Sequence, residues 1–201
     1  MKMEWEEEVK ILEKLSRFRA KLWDLRIIGK TETDSYGNVS HRLDESFFAI
    51  SRSGVGGLRK LSPDDFIVAR YRQGEFHPPS VFRGILTEDQ KPSRDTKIHS
   101  ALYSGSEKVN VVAHFHHPLI WGMFLDKFPT TSVDKPPGSV ELAEEIFDLC
   151  QKLDLQKDWI IILGSHEDGI LTFGENIESL EEKIIALVKE YPLQEKKKYR
   201  K

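Results

Sequence analysis

Three of the seven histidines lie in one ten-residue stretch, residues 109–118, which reads Val-Asn-Val-Val-Ala-His-Phe-His-His-Pro. The apolar residues before them predict a β-strand, and alternate side chains of a strand project from the same face. We therefore expect His114 and His116 to point the same way, about 7 Å apart along the backbone. This spacing suits two imidazole nitrogens that bind one metal ion, but a strand end that meets solvent would also accept polar residues.

A further histidine follows a second apolar segment. Residues 159–163 are apolar at every position, which predicts a buried strand, and they lead into the loop 164–169 that contains His166. Zinc sites that do chemistry usually hold the ion with three protein ligands and leave a fourth position open for water or substrate. The three histidines His114, His116 and His166 would supply such a set.

The rest of the chain predicts the elements that must position these histidines. Apolar residues at helical spacing predict helices over residues 5–27, 95–103, 119–125 (short and buried), 140–153 (capped by Ser139) and 177–191. Short apolar runs predict strands at residues 47–51, 66–71, 109–116, 159–163 and 170–173, with one more at 81–85 inside an otherwise loop-like region. Polar turns at 38–40, 53–57 and 93–95 are expected to line one mouth, because loops on a rigid sheet usually hold substrate groups.

Asp95 lies in the first turn of the predicted helix 95–103, with His99 one turn later on the same face. A carboxylate is favoured there by the helix dipole, so an ordinary helix start also explains it. His99 is open to two roles, a contact with the site or a structural position on the helix. His117 precedes a proline and is expected to point to the opposite face from His114 and His116, towards solvent or packing.

Composition limits the class of protein. The chain has 201 residues, 39% of them hydrophobic, which suits one domain over residues 1–191, followed by a basic tail, 192–201, that is solvated or contacts an anion or a partner. The net charge of −3 gives no electrostatic reason to bind nucleic acid or a membrane surface. A single cysteine, Cys150, excludes an intrachain disulfide and a four-cysteine zinc site. The acidic N-terminus does not resemble a secretion signal, so a cytoplasmic location is expected.

Several motifs together resemble the class II aldolase and adducin family, which includes fuculose-phosphate aldolase. They are Gly-Asn-Val-Ser at 37–40, Ser-Arg-Ser-Gly at 51–54, Lys-Pro-Ser-Arg-Asp at 91–95 with His99 four residues on, Ala-His-Phe-His at 113–116, and the closing histidine loop before Gly-Ile-Leu at 169–171. They occur in the family's order over roughly residues 8–190. The resemblance implies an α/β fold, a three-layer αβα sandwich around a largely antiparallel central sheet, and a homotetramer with active sites between subunits.

The resemblance also implies roles for individual residues. His114 and His116 match paired ligands of Zn²⁺ or another divalent metal, and Asp95 stands where the family has a glutamate that acts as acid and base. The residues that match substrate phosphate-binding positions are Asn38, Ser53, Gly54 and Ser93, beside Arg94. In such enzymes the metal binds hydroxyl and carbonyl oxygens of a ketose phosphate and stabilises the enediolate that forms when the carbon bond breaks.

Four departures from the family pattern affect this expectation. Asp95 is shorter than glutamate by one methylene, about 1.5 Å. Arg94 replaces a second serine and adds a positive charge suited to a phosphate or carboxylate. In the family the third metal ligand directly precedes a glycine, whereas here two residues separate His166 from the corresponding Gly169. The third ligand is therefore either His166 or Asp168, and we favour His166. No tyrosine lies in the loop 126–138, so the family's catalytic tyrosine is absent or replaced from elsewhere, for example by Tyr199.

The sequence therefore predicts a zinc-dependent class II aldolase-like lyase acting on a small phosphorylated sugar or related hydroxy-carbonyl compound. Two alternatives stay open. The same site would suit a dehydratase or an epimerase, since both reactions occur in the family. A non-catalytic adducin-like binding or scaffold domain would also fit the replacement at Asp95 and the missing tyrosine.

Overall fold

The structure, a computed structural model, describes residues 5–72 and 91–193. The five helices of these residues are α1 (Trp5–Asp24), α2 (Thr96–Gly105), α3 (Pro118–Phe124), α4 (Val140–Lys152) and α5 (Ile177–Glu190). The eight strands are β1 (Gly29–Lys30), β2 (Ser35–Tyr36), β3 (Asn38–Arg42), β4 (Phe47–Ser51), β5 (Phe66–Arg70), β6 (Val111–His116), β7 (Ile160–Ile162) and β8 (Gly169–Gly174). Short 3-10 turns at Val55–Gly57 and Pro63–Asp65 precede β5.

Six of the strands form one sheet in the order β5-β4-β3-β6-β8-β7, and every neighbouring pair is antiparallel. The strand with the paired histidines, β6, therefore lies in the middle of the sheet between β3 and β8. The strands β1 and β2 pair separately as a two-stranded ribbon. The predicted fold class, an α/β protein with a largely antiparallel central sheet, is confirmed.

Hydrophobic clusters cover both faces of the sheet. On one face Val111, Ala113 and Phe115 of β6 pack with residues of α1 and α5. On the other face Val112 of β6 packs with residues of α2 and α4. Because strand side chains alternate, His114 lies on the same face as Val112, the face covered by α2. This arrangement gives the three layers that the resemblance implied.

The predicted elements agree with the structure except in three places. The segment 38–40, predicted as a turn, is the start of β3, because pairing with β4 and β6 supplies backbone hydrogen bonds that its polar sequence does not suggest. The helix predicted at 119–125 forms as α3, but Ile120 is its one fully buried residue, so the expectation of a buried helix is wrong. The ribbon of β1 and β2 was not predicted.

Some predictions concern residues outside the described part of the chain. These are the strand at 81–85, most of the basic tail at 192–201, and Tyr199. The division into one domain and a tail stays a prediction. In residues 5–72 and 91–193, no helix combines the length and apolar character needed to cross a membrane.

Candidate metal centre and active-site cavity

The three predicted histidines meet at one point. The ring centroids of His114 and His116 are 5.0 Å apart, and the ring of His166 lies 4.9 Å from the first and 4.8 Å from the second. One potential ligand nitrogen from each residue lies within 4.8 Å of the others. The three imidazoles can therefore face a single ion.

The loop between β7 and β8 brings His166 to the pair on β6. The loop is closed by a hydrogen bond from the Leu163 amide to the Gly169 carbonyl (3.0 Å), and the Gly169 amide donates to the His166 carbonyl (2.8 Å). A side chain at Gly169 would place its Cβ 3.0 Å from Cγ of His166, so glycine leaves room for the ring. Gly169 is also the partner of His116 in the β6–β8 register. The turn and the register together set His166 beside the end of β6.

Asp168, the alternative third ligand, has a positive φ of 65°, and its carbonyl accepts a hydrogen bond from the His117 amide at 2.9 Å. It lines the same cavity, but the group of three potential ligands is completed by His166. Burial, together with the nearby Glu167, raises the pKa of the Asp168 carboxyl.

The nitrogen atoms of this group fit a metal ion. Nε2 of His114 and Nδ1 of His166 are buried and have no hydrogen-bond partner among the described residues. Unpaired buried polar atoms are costly and uncommon, and a bound ion would satisfy them. Burial and the neighbouring imidazoles also lower the pKa of His116 to about 3 and the pKa of His166 to about 4, so both rings are neutral near pH 7, as metal ligation requires.

Asp95 lies directly next to His114. Its Oδ2 accepts hydrogen bonds from Nδ1 of His114 (3.0 Å) and from Nδ2 of Asn38 (2.8 Å). Burial alone would raise the pKa of Asp95, but the adjacent His114 and the Asn38 amide outweigh it and hold that pKa well below its usual range. The carboxylate is therefore ionised at neutral pH.

A cavity of about 650 Å³ opens over the three histidines. Every site residue predicted from the sequence lines it, namely Asn38, Ser53, Gly54, Ser93, Arg94, Asp95, His114, His116 and His166. Three distant chain segments thus meet at one mouth, as expected from the polar turns. Their individual roles stay predictions.

The amide of Asn38 is already engaged within the protein. Its Nδ2 donates to Oγ of Ser93 (2.9 Å) and to Oδ2 of Asp95 (2.8 Å), which uses both amide protons. Its Oδ1 is buried and has no partner among the described residues. In this arrangement both amide protons of Asn38 are used within the protein, and none is left for a substrate phosphate.

The sequence reasoning missed Tyr36, which also lines the cavity. Its ring meets the ring of His116 edge-on at 5.6 Å, and its hydroxyl donates a long hydrogen bond of 3.3 Å to the Arg26 carbonyl. In the ribbon Tyr36 pairs with Gly29, and a Cβ at Gly29 would lie 2.9 Å from the Tyr36 hydroxyl. Burial raises the pKa of Tyr36, which keeps the phenol protonated at neutral pH. Its position just before the Gly-Asn-Val-Ser motif is the one signal in the sequence.

Two other histidines have structural positions. His99 is fully buried, its Nδ1 lies 2.6 Å from Oγ of Ser40, and it does not line the cavity. Nδ1 of His117 accepts a hydrogen bond from the Ile120 amide at 3.3 Å and so caps α3. His117 is also fully buried, in line with packing as the expected alternative to solvent.

Comparison with known proteins gives a consistent result. A family model described as "Class II Aldolase and Adducin N-terminal domain" matches residues 29–191. An L-fuculose 1-phosphate aldolase from Glaciozyma antarctica PI12 is similar with a TM-score of 0.64 and 18% identity over 92% of this chain and 72% of that one. A sugar-phosphate aldolase from Thermotoga maritima is similar with a TM-score of 0.61 and 15% identity over 92% of this chain and 97% of that one. At these identities the likeness to the solved structures establishes a common fold.

Proposed function

This chain belongs to the class II aldolase and adducin family, and we therefore propose that it is a metal-dependent lyase that cleaves a carbon–carbon bond in a small sugar phosphate through an enediolate. The observation that supports this most directly is the convergence of three imidazoles, two of them with a buried and unpaired nitrogen, on the wall of one cavity. Buried and unpaired imidazole nitrogens also occur at His99 and His117, so it is the meeting of three rings at one place, and not the missing partners alone, that supports the proposal.

In this proposal His114, His116 and His166 hold Zn²⁺ or another divalent cation. The ion would supply Lewis-acid chemistry, polarising oxygen atoms of the substrate and lowering the cost of the negative charge that develops as the carbon bond breaks. The neutral state of His116 and His166 supports this assignment, because each ring then has a lone pair to offer.

The substrate phosphate is proposed to lie against Ser53, Gly54, Ser93 and Arg94. Gly54 has a positive φ of 84° and a side chain there would meet no atom within 4 Å, so its backbone is open to a ligand. Arg94 is exposed on the cavity wall and would give a phosphate or carboxylate two parallel donors. Asn38 would support the site indirectly, by holding Ser93 and Asp95 in place through its amide group.

Asp95 is proposed to move the proton, as the resemblance implies. Its Oδ2 already accepts two hydrogen bonds, so the transfer would use Oδ1, to which no donor among the described residues is hydrogen-bonded. Cleavage removes a proton from a substrate hydroxyl and returns one to the enediolate, so the reaction needs a proton donor as well as a base. Tyr36, protonated and on the same cavity wall, is the candidate donor.

Other parts of the proposal come from the composition of the chain and from the family. The protein is expected to work in the cytoplasm as a homo-oligomer, a tetramer by resemblance, and to bind neither nucleic acid nor membrane. Dehydration or epimerisation of a related hydroxy-carbonyl compound would use the same metal and cavity. A non-catalytic adducin-like scaffold is the alternative of a different class.

Metal analysis separates the enzyme from the scaffold. Purified protein should hold close to one divalent ion per chain, and the variant His114→Ala should lose it. A wild-type protein that binds no metal, with the same stability as His114→Ala, would favour the scaffold. Incubation of the metal-loaded protein with a panel of ketose phosphates, followed by aldehyde detection, then separates cleavage from dehydration or epimerisation, which release no aldehyde fragment.

A further inference from the structure

Arg26 occupies a backbone position that favours glycine. It follows α1 and has a positive φ of 60°. Its amide donates to the carbonyl of Trp23 at 2.9 Å, and the amide of Ile27 donates to the carbonyl of Leu22 at 3.3 Å. This pair of hydrogen bonds forms a Schellman motif, in which the left-handed residue is usually glycine because a Cβ is strained there. Arginine therefore costs stability at this turn that glycine would avoid.

The turn is held without the side chain of Arg26. The residues that close the motif, Leu22 and Ile27, are fully buried in one hydrophobic cluster. The guanidinium of Arg26 is exposed and makes no hydrogen bond or ion pair with the described residues. A cation at a helix C-terminus interacts favourably with the helix dipole, but Lys21 already provides one in the last turn of α1. The fold therefore does not account for an arginine at this position.

Arg26 lines the cavity that opens over the three histidines. Its carbonyl accepts the hydrogen bond from the Tyr36 hydroxyl, and the ring of Tyr36 lies 5.6 Å from the ring of His116. One side chain thus separates the backbone of Arg26 from the proposed metal centre. Three aspartates also line the cavity, and within the described part of the chain none forms an ion pair with Arg26, namely Asp34, Asp95 and Asp168.

A second arginine reaches this cavity from the other face of the sheet. Arg26 follows α1, which packs on one face, whereas Arg94 precedes α2, which covers the opposite face. The stem of Arg94 lies against Gly138, where an added Cβ would be 3.1 Å from Cδ of Arg94. Arg94 also has no ion pair among residues 5–72 and 91–193. Two unpaired guanidinium groups therefore meet one cavity of about 650 Å³ from two directions.

We propose that Arg26 binds a second anionic group of the substrate, so that the preferred substrate carries a phosphate and a further acid group. The inference rests on the proposed function, in which Arg94 contacts the phosphate. A phosphate bound beside Arg94 would leave the guanidinium of Arg26 without a partner. A carboxylate or a second phosphate would accept two parallel hydrogen bonds from that guanidinium. The cavity would thereby select acidic sugar phosphates over neutral ones.

The test compares compounds that differ by one acid group. Glycerol 3-phosphate and 3-phosphoglycerate differ by a carboxylate, and fructose 1-phosphate and fructose 1,6-bisphosphate differ by a phosphate. Isothermal titration calorimetry of the full chain as purified, at pH 7.5, measures the dissociation constant of each compound. Wild type should bind the more acidic member of at least one pair about 10-fold more tightly, as expected for one added charge-assisted contact. The pair that shows this preference identifies the acid group.

The variant Arg26→Gly should remove the preference and leave the affinity for glycerol 3-phosphate unchanged. Any contribution of a bound metal is the same in both proteins and cancels in the ratio. Lys30→Gln is the matched control, because Lys30 is exposed on the neighbouring ribbon but does not line the cavity. This variant also loses one positive charge, and it should keep the preference. The urea midpoint of Arg26→Gly should equal or exceed that of wild type, since glycine suits the left-handed turn.

The outcomes separate this inference from the proposed function. Wild type that binds both members of each pair equally overturns the inference, and so does a preference that survives in Arg26→Gly. Equal weakening of glycerol 3-phosphate and 3-phosphoglycerate in Arg26→Gly would place Arg26 at the phosphate itself and contradict a second acid group. A preference that Arg26→Gly abolishes, in protein that holds no divalent metal and cleaves no ketose phosphate, supports the inference and contradicts the proposed lyase.

Discussion

Two glycines at the cavity, Gly37 and Gly54, allow the packing behind the site to be tested by stability. Both have positive φ angles, 73° and 84°, so alanine at either position would suffer left-handed backbone strain of about 1–2 kcal/mol. They differ in surroundings. A Cβ at Gly37 would lie 2.6 Å from Cγ1 of Ile28 and 2.9 Å from the carbonyl oxygen of His114, whereas a Cβ at Gly54 would meet nothing within 4 Å.

The expected costs follow from this difference. Overpacking of a filled site adds about 1–3 kcal/mol, so Gly37→Ala should lower the free energy of unfolding by about 2–5 kcal/mol, against about 1–2 kcal/mol for Gly54→Ala. Any loss of entropy in the unfolded chain is common to both variants and cancels in the comparison. Gly122→Ala, in α3 with open space around it, should stabilise by about 0.5–1 kcal/mol and serves as the control for alanine itself.

The assay is urea unfolding of metal-free protein at pH 7.5, followed by circular dichroism. The slope of the free energy against urea should be equal in the three variants, so that the midpoints report stability. Equal losses for Gly37→Ala and Gly54→Ala would refute the reasoning, because they would mean that the loop before β3 does not pack against Ile28 and the backbone of His114.

Three further predictions concern the site, and a fourth concerns the buried His99. His166→Ala should lose stoichiometric zinc while Asp168→Asn retains it, as measured by elemental analysis after dialysis; the reverse result would identify Asp168 as the third ligand. Tyr36→Phe should keep its zinc and lower kcat for the cleaved ketose phosphate by about 10²-fold or more, as expected for loss of a proton donor; an unchanged kcat would exclude that role. Arg94→Ser should raise KM for a phosphorylated substrate about 10-fold or more with little change in kcat, since one charge-assisted hydrogen bond contributes about 1.5–3 kcal/mol; an equal KM would remove Arg94 from the phosphate site. Finally, burial lowers the pKa of His99 in the folded protein to about 3, so as the pH falls below about 6.5 the unfolded chain takes up a proton that the folded protein does not, and metal-free protein should lose stability with a slope approaching 1.4 kcal/mol per pH unit from this residue. Urea unfolding of wild type and His99→Gln at pH 7.5 and 5.5 measures the contribution of His99. The same pH dependence in both proteins would show that His99 is not buried in the neutral form.

The meeting of the three histidines could be predicted because His114 and His116 lie at the end of one apolar strand and His166 follows another. For His114 and His116 the period of two was sufficient. His166 lies in a loop of six residues, where periodicity does not predict the direction of a side chain. It was assigned to the site because a catalytic zinc ion usually has three protein ligands.

The strand β3 could not be recognised from its own residues. Asn38–Arg42 reads Asn-Val-Ser-His-Arg and has one aliphatic side chain, Val39, so no hydrophobic alternation marks it. It forms because β4 and β6 pair with it on both sides, which is a property of the whole sheet. The same limit explains why Asp95 could be placed at a helix start but the direction of its carboxylate could not, because that direction depends on Asn38 and His114 across the sheet.

Tyr36 and α3 show two other limits. Tyr36 lies on a strand of two residues, too short for any periodic pattern, and reaches the cavity only because the ribbon folds over His116. In α3 the apolar composition suggested burial, yet Met123 is 38% exposed and Ile120 is the one fully buried residue, so only one side of the helix is covered.

The three imidazoles come from the middle strand of the sheet and from the loop that connects its last two strands. An ion bound there would join β6 to an edge hairpin in which β7 contributes only three residues. Amide hydrogens of β7 should therefore exchange with solvent faster in the apoprotein than in the loaded one, while those of β3 and β4 change little. The edge of the sheet would thus open and close with metal occupancy, and exchange rates along β7 would report how firmly the ion is held.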